Sequence, residues 1–323
     1  MSVQPDREVS TPASGTEAAA ARLLGATLAQ LNQVILGKDA EIRLCIACLL
    51  ARGHLLIEDM PGVGKTTLAH ALAQTLGLSY QRIQFTSDLL PADVIGVSIF
   101  DRSGNRFEFQ RGPIFAQLVL ADEVNRATPK AQSALLEAME EHQVTVDGRR
   151  HALPEPFFVL ATQNPSEQVG TFPLPESQLD RFLMRIELGY PDSRHERDLL
   201  LGQDRRMLLA TLGPILSAAD LEQLQAAAGR IHVAAALLDY VQALVAYTRK
   251  SGRFHAGLSP RAAIGLLRAS QSWALLEGRR SVLPEDVQRV FPAIAVHRLR
   301  STQDWARVDA SIGRQIIEDV PIP

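Results

Sequence analysis

The stretch of residues 58–66, which reads EDMPGVGKT, constrains the fold of this chain more than any other part of the sequence. It follows an apolar run at residues 54–58 and precedes an Ala- and Leu-rich segment at residues 66–76. A short buried strand, a glycine-rich turn and a helix form the first unit of an α/β fold. In such a turn, Gly62 and Gly64 let backbone N–H groups point inward around phosphate oxygens. The flanking strand and helix argue against a turn that carries Gly-Lys-Thr by chance.

This loop predicts a nucleotide-binding site. Lys65 is placed to reach the β- and γ-phosphates, and the hydroxyl of Thr66 is placed to ligate Mg²⁺. Asp59 stands where the strict pattern has glycine, at the mouth of the loop rather than among its N–H donors. The residues expected to bind ATP are Pro61, Gly62, Val63, Gly64, Lys65, Thr66 and Thr67.

A second apolar segment, at residues 118–121, ends in the adjacent carboxylates Asp122 and Glu123. In an open parallel sheet, ligands bind at the carboxyl ends of the strands, where the phosphate-binding loop also lies. Asp122 is therefore expected to hold Mg²⁺ together with Thr66, and Glu123 to polarise the attacking water. An Asp-Glu pair after a strand is by itself often a solvent-exposed pair. Combined with the loop, it indicates that ATP is hydrolysed as well as bound.

Three further polar residues are candidates for the same chemistry. A third apolar strand at residues 157–162 is followed by Gln163 and Asn164, and an amide there can orient water or contact the γ-phosphate. Arg181 ends the sequence LDRF, and Arg261 opens a helix in the sequence SPR. An arginine commonly stabilises the charge on the γ-phosphate, in the same subunit or from a neighbour. The residues alone leave open which arginine does so, or whether both are ordinary surface side chains.

The order of elements predicts an α/β fold with a parallel sheet and flanking helices, followed by an all-α part. Strand signals continue to about residue 191, and only helical patterns follow. We expect a disordered tail at residues 1–16, an α/β core at residues 17–191 and a smaller helical domain at residues 192–323. Two β-hairpins are predicted within the core, at residues 97–109 and 144–153. A short helix is predicted at residues 87–90.

Composition limits the location and the partners of the chain. The net charge is −3, so no global basic field attracts nucleic acid. No apolar stretch approaches the ~18–20 residues of a membrane span, so we expect no membrane insertion. The two cysteines, Cys45 and Cys48, lie in an apolar run and are expected to be buried hydrophobic residues rather than a redox or metal pair. Scarce cysteine fits a cytoplasmic protein.

Several strings, taken in order, resemble the MoxR family of AAA+ ATPases. The resemblance covers about residues 31–299, and it includes the residue at position 59, since these proteins have Asp or Gly there. The strings are EDMPGVGKT at residues 58–66, ADEVNRA at 121–127, SALLEAMEE at 133–141, ATQNP at 161–165, LPESQLDRF at 174–182 and SPRA at 259–262.

The resemblance implies a role for each candidate residue. Asn164 would be sensor 1, Arg181 the arginine finger that reaches a neighbouring subunit's nucleotide, and Arg261 sensor 2 in the helical lid. The first hairpin resembles the family's helix-2 insert and the second its pre-sensor-1 hairpin. Members of the family form ring-shaped homo-oligomers, expected here to be hexameric, with these hairpins facing the pore. They act as chaperones on client proteins, together with von Willebrand factor A-type partners, to mature or activate protein complexes.

Two other functions remain open at this point. A helicase-like nucleic-acid motor has the same inserts, but the net charge is negative and the hairpin tips carry mixed charge. A chelatase-type motor subunit, which drives metal insertion with a separate catalytic partner, differs mainly in its client. The chain does not encode that client in any motif that we can identify.

Overall fold

The computed structural model describes residues 15–164, 170–201, 205–303 and 305–322 of the 323-residue chain. Its strands form one five-stranded sheet and two two-stranded sheets. The strands are β1 (Leu55–Glu58), β2 (Tyr80–Gln84), β3 (Gly96–Asp101), β4 (Arg106–Arg111), β5 (Leu118–Asp122), β6 (Gln143–Val146), β7 (Arg149–Ala152), β8 (Phe158–Gln163) and β9 (Met184–Ile186).

Helices occupy both faces of the larger sheet and almost all of the chain beyond it. The helices are α1 (Gly15–Val34), α2 (Asp39–Leu50), α3 (Lys65–Thr75), α4 (Pro91–Ile95), α5 (Pro129–Glu141), α6 (Glu176–Leu179), α7 (Ser193–Leu201), α8 (Arg205–Thr211), α9 (Ala218–Ala228), α10 (Ala235–Lys250), α11 (Pro260–Leu276), α12 (Pro284–Ala295) and α13 (Ala310–Asp319). Within the described ranges, none of them combines the length and apolar content needed to cross a bilayer.

The larger sheet is parallel throughout, in the order β2-β5-β8-β1-β9. Every residue of β1, β5 and β8 is buried, because helices cover both faces of the sheet. This is why these strands read as continuous apolar runs in the sequence. Glu58 pairs with Gln163, and Gln84 pairs with Asp122. The carboxyl ends of the strands are therefore level, and the segments that follow them share one edge of the sheet.

Both predicted hairpins are confirmed. β3 pairs with β4 and β6 with β7, each in antiparallel register. The turn of the second hairpin places Asp147 and Gly148 at positive φ, as an Asp-Gly turn requires. The first hairpin exposes a pair of aromatic rings, Phe100 and Phe107, whose centroids are 5.2 Å apart.

The predicted helix at residues 87–90 is wrong, because the helix in this region is α4. Pro91 occupies its first turn, where the missing N–H group costs nothing and the fixed φ suits a helix. The Asp93 carboxylate accepts the N–H of Leu90 at 2.9 Å and holds the preceding residue in an extended conformation. The helix therefore begins at the proline and cannot extend to the residues before it.

Buried apolar side chains form one cluster on each face of the sheet. The larger cluster continues from the sheet through α1, α2 and α3 into the helices after residue 191. α11 and α9 pack on α2, and the Gln225 amide donates to the buried carbonyl of Leu49 at 2.9 Å. The domain division at residue 191 stays a prediction. The predicted tail, residues 1–16, lies outside the described residues except for its last two, which begin α1.

Candidate nucleotide-binding site

The loop between β1 and α3 has the backbone of a phosphate-binding loop. Gly62 and Gly64 adopt φ of 86° and 97°, values that L residues rarely reach. A Cβ at either position would meet nothing within 4 Å, so the backbone conformation, not crowding, requires glycine there. No side chain caps the first turn of α3. The N–H groups at this helix start are therefore available to an anion, and the helix dipole favours one.

Lys65 lies at the start of α3 among acidic groups. Its ammonium donates to the carbonyl oxygen of Asp59 at 2.5 Å. Burial lowers the pKa of Lys65, and the negative charges of Asp59, Asp122 and Glu123 oppose that shift. These interactions show that the loop and the end of β5 lie close enough to act on one bound group.

Asp122, at the end of β5, is almost completely buried. One carboxylate oxygen accepts the Thr162 hydroxyl at 2.6 Å, and the other accepts Nη2 and Nε of Arg82 at 2.7 and 3.1 Å. Arg82 lies on the edge strand β2 and thus supplies a positive charge next to the carboxylate that is expected to hold Mg²⁺.

Glu123 follows directly and adopts a left-handed backbone conformation with φ of 56°. Its N–H group donates to the Thr162 hydroxyl oxygen at 2.8 Å, and its carboxylate accepts from Gln84 at 2.8 Å and Arg126 at 3.0 Å. A non-glycine residue at positive φ costs free energy and is often found at functional sites. The conformation turns Glu123 away from the course of the strand and fixes where its carboxylate stands.

Asn164 follows β8, which lies in the sheet between β5 and β1. It is buried, and its position in the strand order places it between the two carboxylates and the loop. The preceding residue, Gln163, is also buried, and its amide nitrogen has no hydrogen-bond partner among the described residues. A buried amide donor without a partner is rare in folded proteins, and a bound polar group would satisfy it.

The structure brings Arg181 and Arg261 together, but far from the loop. Both bind the carboxylate of Glu140 on α5, Arg181 through Nη2 at 2.9 Å and Arg261 through a short ion pair. The hydrogen bond from Arg261 holds the pKa of the Glu140 carboxyl below its ordinary value. A cavity of about 410 Å³ is lined by these three residues and by His54, which immediately precedes β1. The arginines therefore lie at the amino-terminal edge of the sheet, opposite the loop.

Sequence reasoning missed the partners of the acidic residues: Arg82, Gln84, Thr162 and Glu140. Arg82 and Gln84 share one face of an edge strand, so period-two alternation carried a signal. The signal did not show which strand β2 pairs with. Glu140 is one of several acids on α5, and nothing in the local sequence distinguishes it.

The donor groups present fit a nucleotide with a magnesium ion. Mg²⁺ prefers oxygen ligands, usually one or two from the protein together with substrate phosphates and water. Thr66 and Asp122 offer two oxygen ligands at this edge. Among the described residues, no cluster of three or more His, Cys, Asp or Glu side chains forms a metal site made by the protein alone.

Cys45 and Cys48 are buried free thiols whose pKa is raised by burial, which confirms that they are core residues.

Comparison with known proteins agrees with this geometry. Residues 54–184 match the model of the ATPase family associated with various cellular activities (AAA), and residues 246–320 match the AAA lid domain. The chain is 45% identical to YeaC of Bacillus subtilis over 93% of its own length and 95% of that protein. It is 39% identical to the chaperone MoxR1 of Mycobacterium tuberculosis, over 97% and 86% of the two chains.

A further relative and a solved structure extend the comparison. The chain is 35% identical to the MoxR protein of Paracoccus denitrificans over 84% of its own length and 86% of that protein. The crystal structure of a candidate ATPase from Cytophaga hutchinsonii superposes with a TM-score of 0.85 at 34% identity, over 95% of this chain and 97% of the other. The chain thus belongs to the MoxR family of AAA+ ATPases, which hydrolyse ATP.

Proposed function

We propose that this ATPase is a chaperone or remodelling motor that acts with a von Willebrand factor A-type partner to mature or activate protein complexes. The similarity to a MoxR chaperone over most of both chains supports the chaperone role. The observation that carries the motor mechanism is the division of the site. The phosphate-binding loop and the acidic pair lie at one edge of the sheet, and the two arginines lie at the other.

Residues of this one chain account for binding and for activation of water. Residues 61–67 would hold the phosphates, and Thr66 and Asp122 would hold Mg²⁺. Bound ATP supplies the phosphoryl group for transfer to water, and Mg²⁺ offsets its charge. Glu123 orients the attacking water and accepts its proton, and Asn164 fixes the position of that water. The hydrogen bonds of Glu123 to Gln84 and Arg126 set the direction of its carboxylate.

The arginines complete the site only between subunits. β1 has four residues and is therefore about 13 Å long, so side chains at its start do not reach phosphates beyond its end. Arg181 and Arg261 share Glu140 on one surface, and we propose that both reach the nucleotide of a neighbouring subunit. A repeated head-to-tail contact closes into a ring when the rotation between neighbours completes a circle, and we propose a hexameric ring here. The exposed Phe100 and Phe107 of the first hairpin would then face the client in the pore.

Mixing two inactive variants tests the shared site. Arg181→Ala should keep ATP binding and lose most turnover, because charge on the transferring group is no longer offset. Glu123→Gln should also lose turnover. In an equal mixture one interface in four pairs an intact Glu123 with an intact Arg181, so up to about a quarter of wild-type turnover should return. ATP hydrolysis is measured at a fixed total protein concentration.

The matched control is a mixture of Glu123→Gln with the double variant Glu123→Gln, Arg181→Ala, which contains no complete interface and should stay inactive. Wild-type turnover per subunit in Arg181→Ala alone, or no recovery in the first mixture, contradicts action between subunits.

The chaperone role is tested by capture on the Glu123→Gln chain, with ATP and without nucleotide. This variant should bind ATP and stall, so partners of the ATP state accumulate. Enrichment of a von Willebrand factor A-type protein and an unfinished complex, only with ATP, is the expected result. Enrichment of nuclease-sensitive material instead contradicts the proposal and favours a nucleic-acid motor.

A further inference from the structure

Asp59, the first residue after β1, binds three backbone N–H groups with its carboxylate. One oxygen accepts the N–H of its neighbour Met60 at 2.7 Å. The other accepts the N–H groups of Leu188 and Gly189, both at 2.6 Å. Asp59 is 8% exposed, so little water competes for these bonds. Hydrogen bonds to an ionised carboxylate are about twice as strong as those between neutral groups.

The two distant donors belong to the segment that connects the sheet to the helical part of the chain. β9 ends at Ile186 and α7 begins at Ser193, so residues 187–192 form this linker. β1 and β9 are parallel neighbours in register, which brings the ends of both strands side by side. Gly189 turns the chain with φ of 63°, a conformation in which both N–H groups face one oxygen.

The residues on either side of Asp59 contact the same linker, β9 and the segment just before α13. The Tyr190 hydroxyl lies 3.4 Å from the sulfur of Met60, the residue that follows Asp59 in the chain. The Glu58 carboxylate pairs with Arg185 on β9 at 2.6 Å and with Arg307, just before α13, at 2.9 Å. The mouth of the loop is thus tied to the linker and to the segment of the helical part that precedes α13.

Asp59 also contacts the phosphate-binding side of the loop, through its backbone. Its carbonyl oxygen accepts the Lys65 ammonium, so one residue is bound by Lys65 at the carbonyl and by the linker at the carboxylate. A glycine at this position would keep the first contact and lose the second. This accounts for an aspartate where the strict loop pattern has glycine.

We propose that Asp59 is a positioning residue that couples the nucleotide state of the loop to the linker, and through it to the placement of the helical part. A change in the hydrogen bonding of Lys65 acts on the Asp59 peptide, and the carboxylate passes that displacement to Leu188 and Gly189. The proposal rests on nucleotide binding by the loop. It adds the route by which binding acts on the rest of the chain.

Amide hydrogen exchange of residues 187–192, measured by mass spectrometry with and without ADP, tests this route. In the wild-type chain ADP should change the exchange of this linker. Asp59→Asn and Asp59→Gly should exchange about tenfold faster there, because the charged acceptor is lost, and ADP should no longer alter the rate. Binding of a fluorescent ADP should stay within about fivefold of wild type, since the phosphate-facing N–H groups belong to residues 62–66.

Asp192→Asn is the matched control, because Asp192 lies in the same linker but its carboxylate binds the start of α7, at His195. It should keep the wild-type response to ADP. If both Asp59 variants bind ADP and their linkers respond as in the wild type, the coupling is wrong while the nucleotide site stands. If the wild-type chain itself does not bind ADP, the coupling and the proposed function both fail. Two variants are used so that one that fails to fold does not decide the result.

Discussion

Arg82 binds Asp122, the carboxylate that is expected to hold Mg²⁺. The guanidinium and the metal ion would therefore compete for the same carboxylate. Asp122 is buried, so without any cation its carboxylate would be left uncompensated at considerable cost. The Arg82 side chain is about half exposed, with 47% of its surface accessible, so the pair is partly screened by solvent. Arg82 therefore neutralises Asp122 at little cost and can be displaced by a stronger cation.

Arg82→Ala should lower the Mg²⁺ concentration needed for tight ATP binding. The guanidinium would no longer compete for Asp122, and a partly screened pair worth ~0.5–1 kcal/mol corresponds to about a two- to fivefold change. The measurement is a Mg²⁺ titration of fluorescent ATP binding, which does not depend on turnover. Arg106→Ala, which removes a more exposed arginine paired with Glu108 on the first hairpin, should leave the titration unchanged. A higher Mg²⁺ requirement in Arg82→Ala contradicts competition.

For single residues, the sequence indicates which side chains are candidates for binding and catalysis. It does not indicate which other side chains form hydrogen bonds or ion pairs with them. Lys65, Asp122 and Glu123 stand out because glycines and apolar strands frame them. Arg82 and Glu140 make contacts across 40 and 121 residues of chain respectively, to Asp122 and Arg261. Such contacts depend on strand order and helix packing, which local patterns do not contain. The roles given to Asn164, Arg181 and Arg261 stay predictions.

Among the elements, buried strands and amphipathic helices were predictable, and their ends were less so. β9 is a clear example, since the apolar pattern predicts a strand at residues 183–188 and the observed strand is Met184–Ile186. Leu188 gives its N–H group to the Asp59 side chain and so leaves the ladder. A side chain more than a hundred residues away thus binds a backbone donor beyond the observed end of the strand.

The last helix, α13, was missed although its start signal is present. Asp309 accepts the N–H groups of Ser311 and Ile312, which is the contact expected of an N-cap aspartate. The helix has only ten residues, which is shorter than the window of about 11–18 residues over which periodicity identifies a helix. The capping residue is therefore the stronger signal for this helix in the sequence.

The whole molecule should lose stability in mild acid, because two histidines are buried in the neutral form. Burial lowers the pKa of His54 to about 4 and also lowers the pKa of His297. The unfolded chain binds protons at these sites near pH 6.5, before the folded chain does. Stability is therefore fully present above pH 6.5 and falls as the pH approaches 4. For His54 the loss between pH 7 and pH 5 is about 2 kcal/mol.

Urea unfolding at pH 7, 6 and 5 measures this loss. His54→Gln should reduce the dependence on pH to the part that His297 contributes, whereas His232→Gln, at an exposed position, should leave it unchanged. The carboxylates with lowered pKa titrate mainly below pH 4, outside this window. Equal stability at pH 7 and pH 5 in the wild-type chain would show that neither histidine is held neutral by the fold.

The hydrophobic cluster that runs from the sheet into the later helices has a practical consequence for dissection of this protein. A fragment that ends near Pro191 would expose the face of α2 that α9 and α11 cover, and remove the Gln225 amide from the buried carbonyl of Leu49. Such a fragment would keep every residue of the phosphate-binding loop, but its exposed apolar surface would be prone to self-association. Nucleotide binding is therefore best studied in the full chain, with point substitutions rather than truncations.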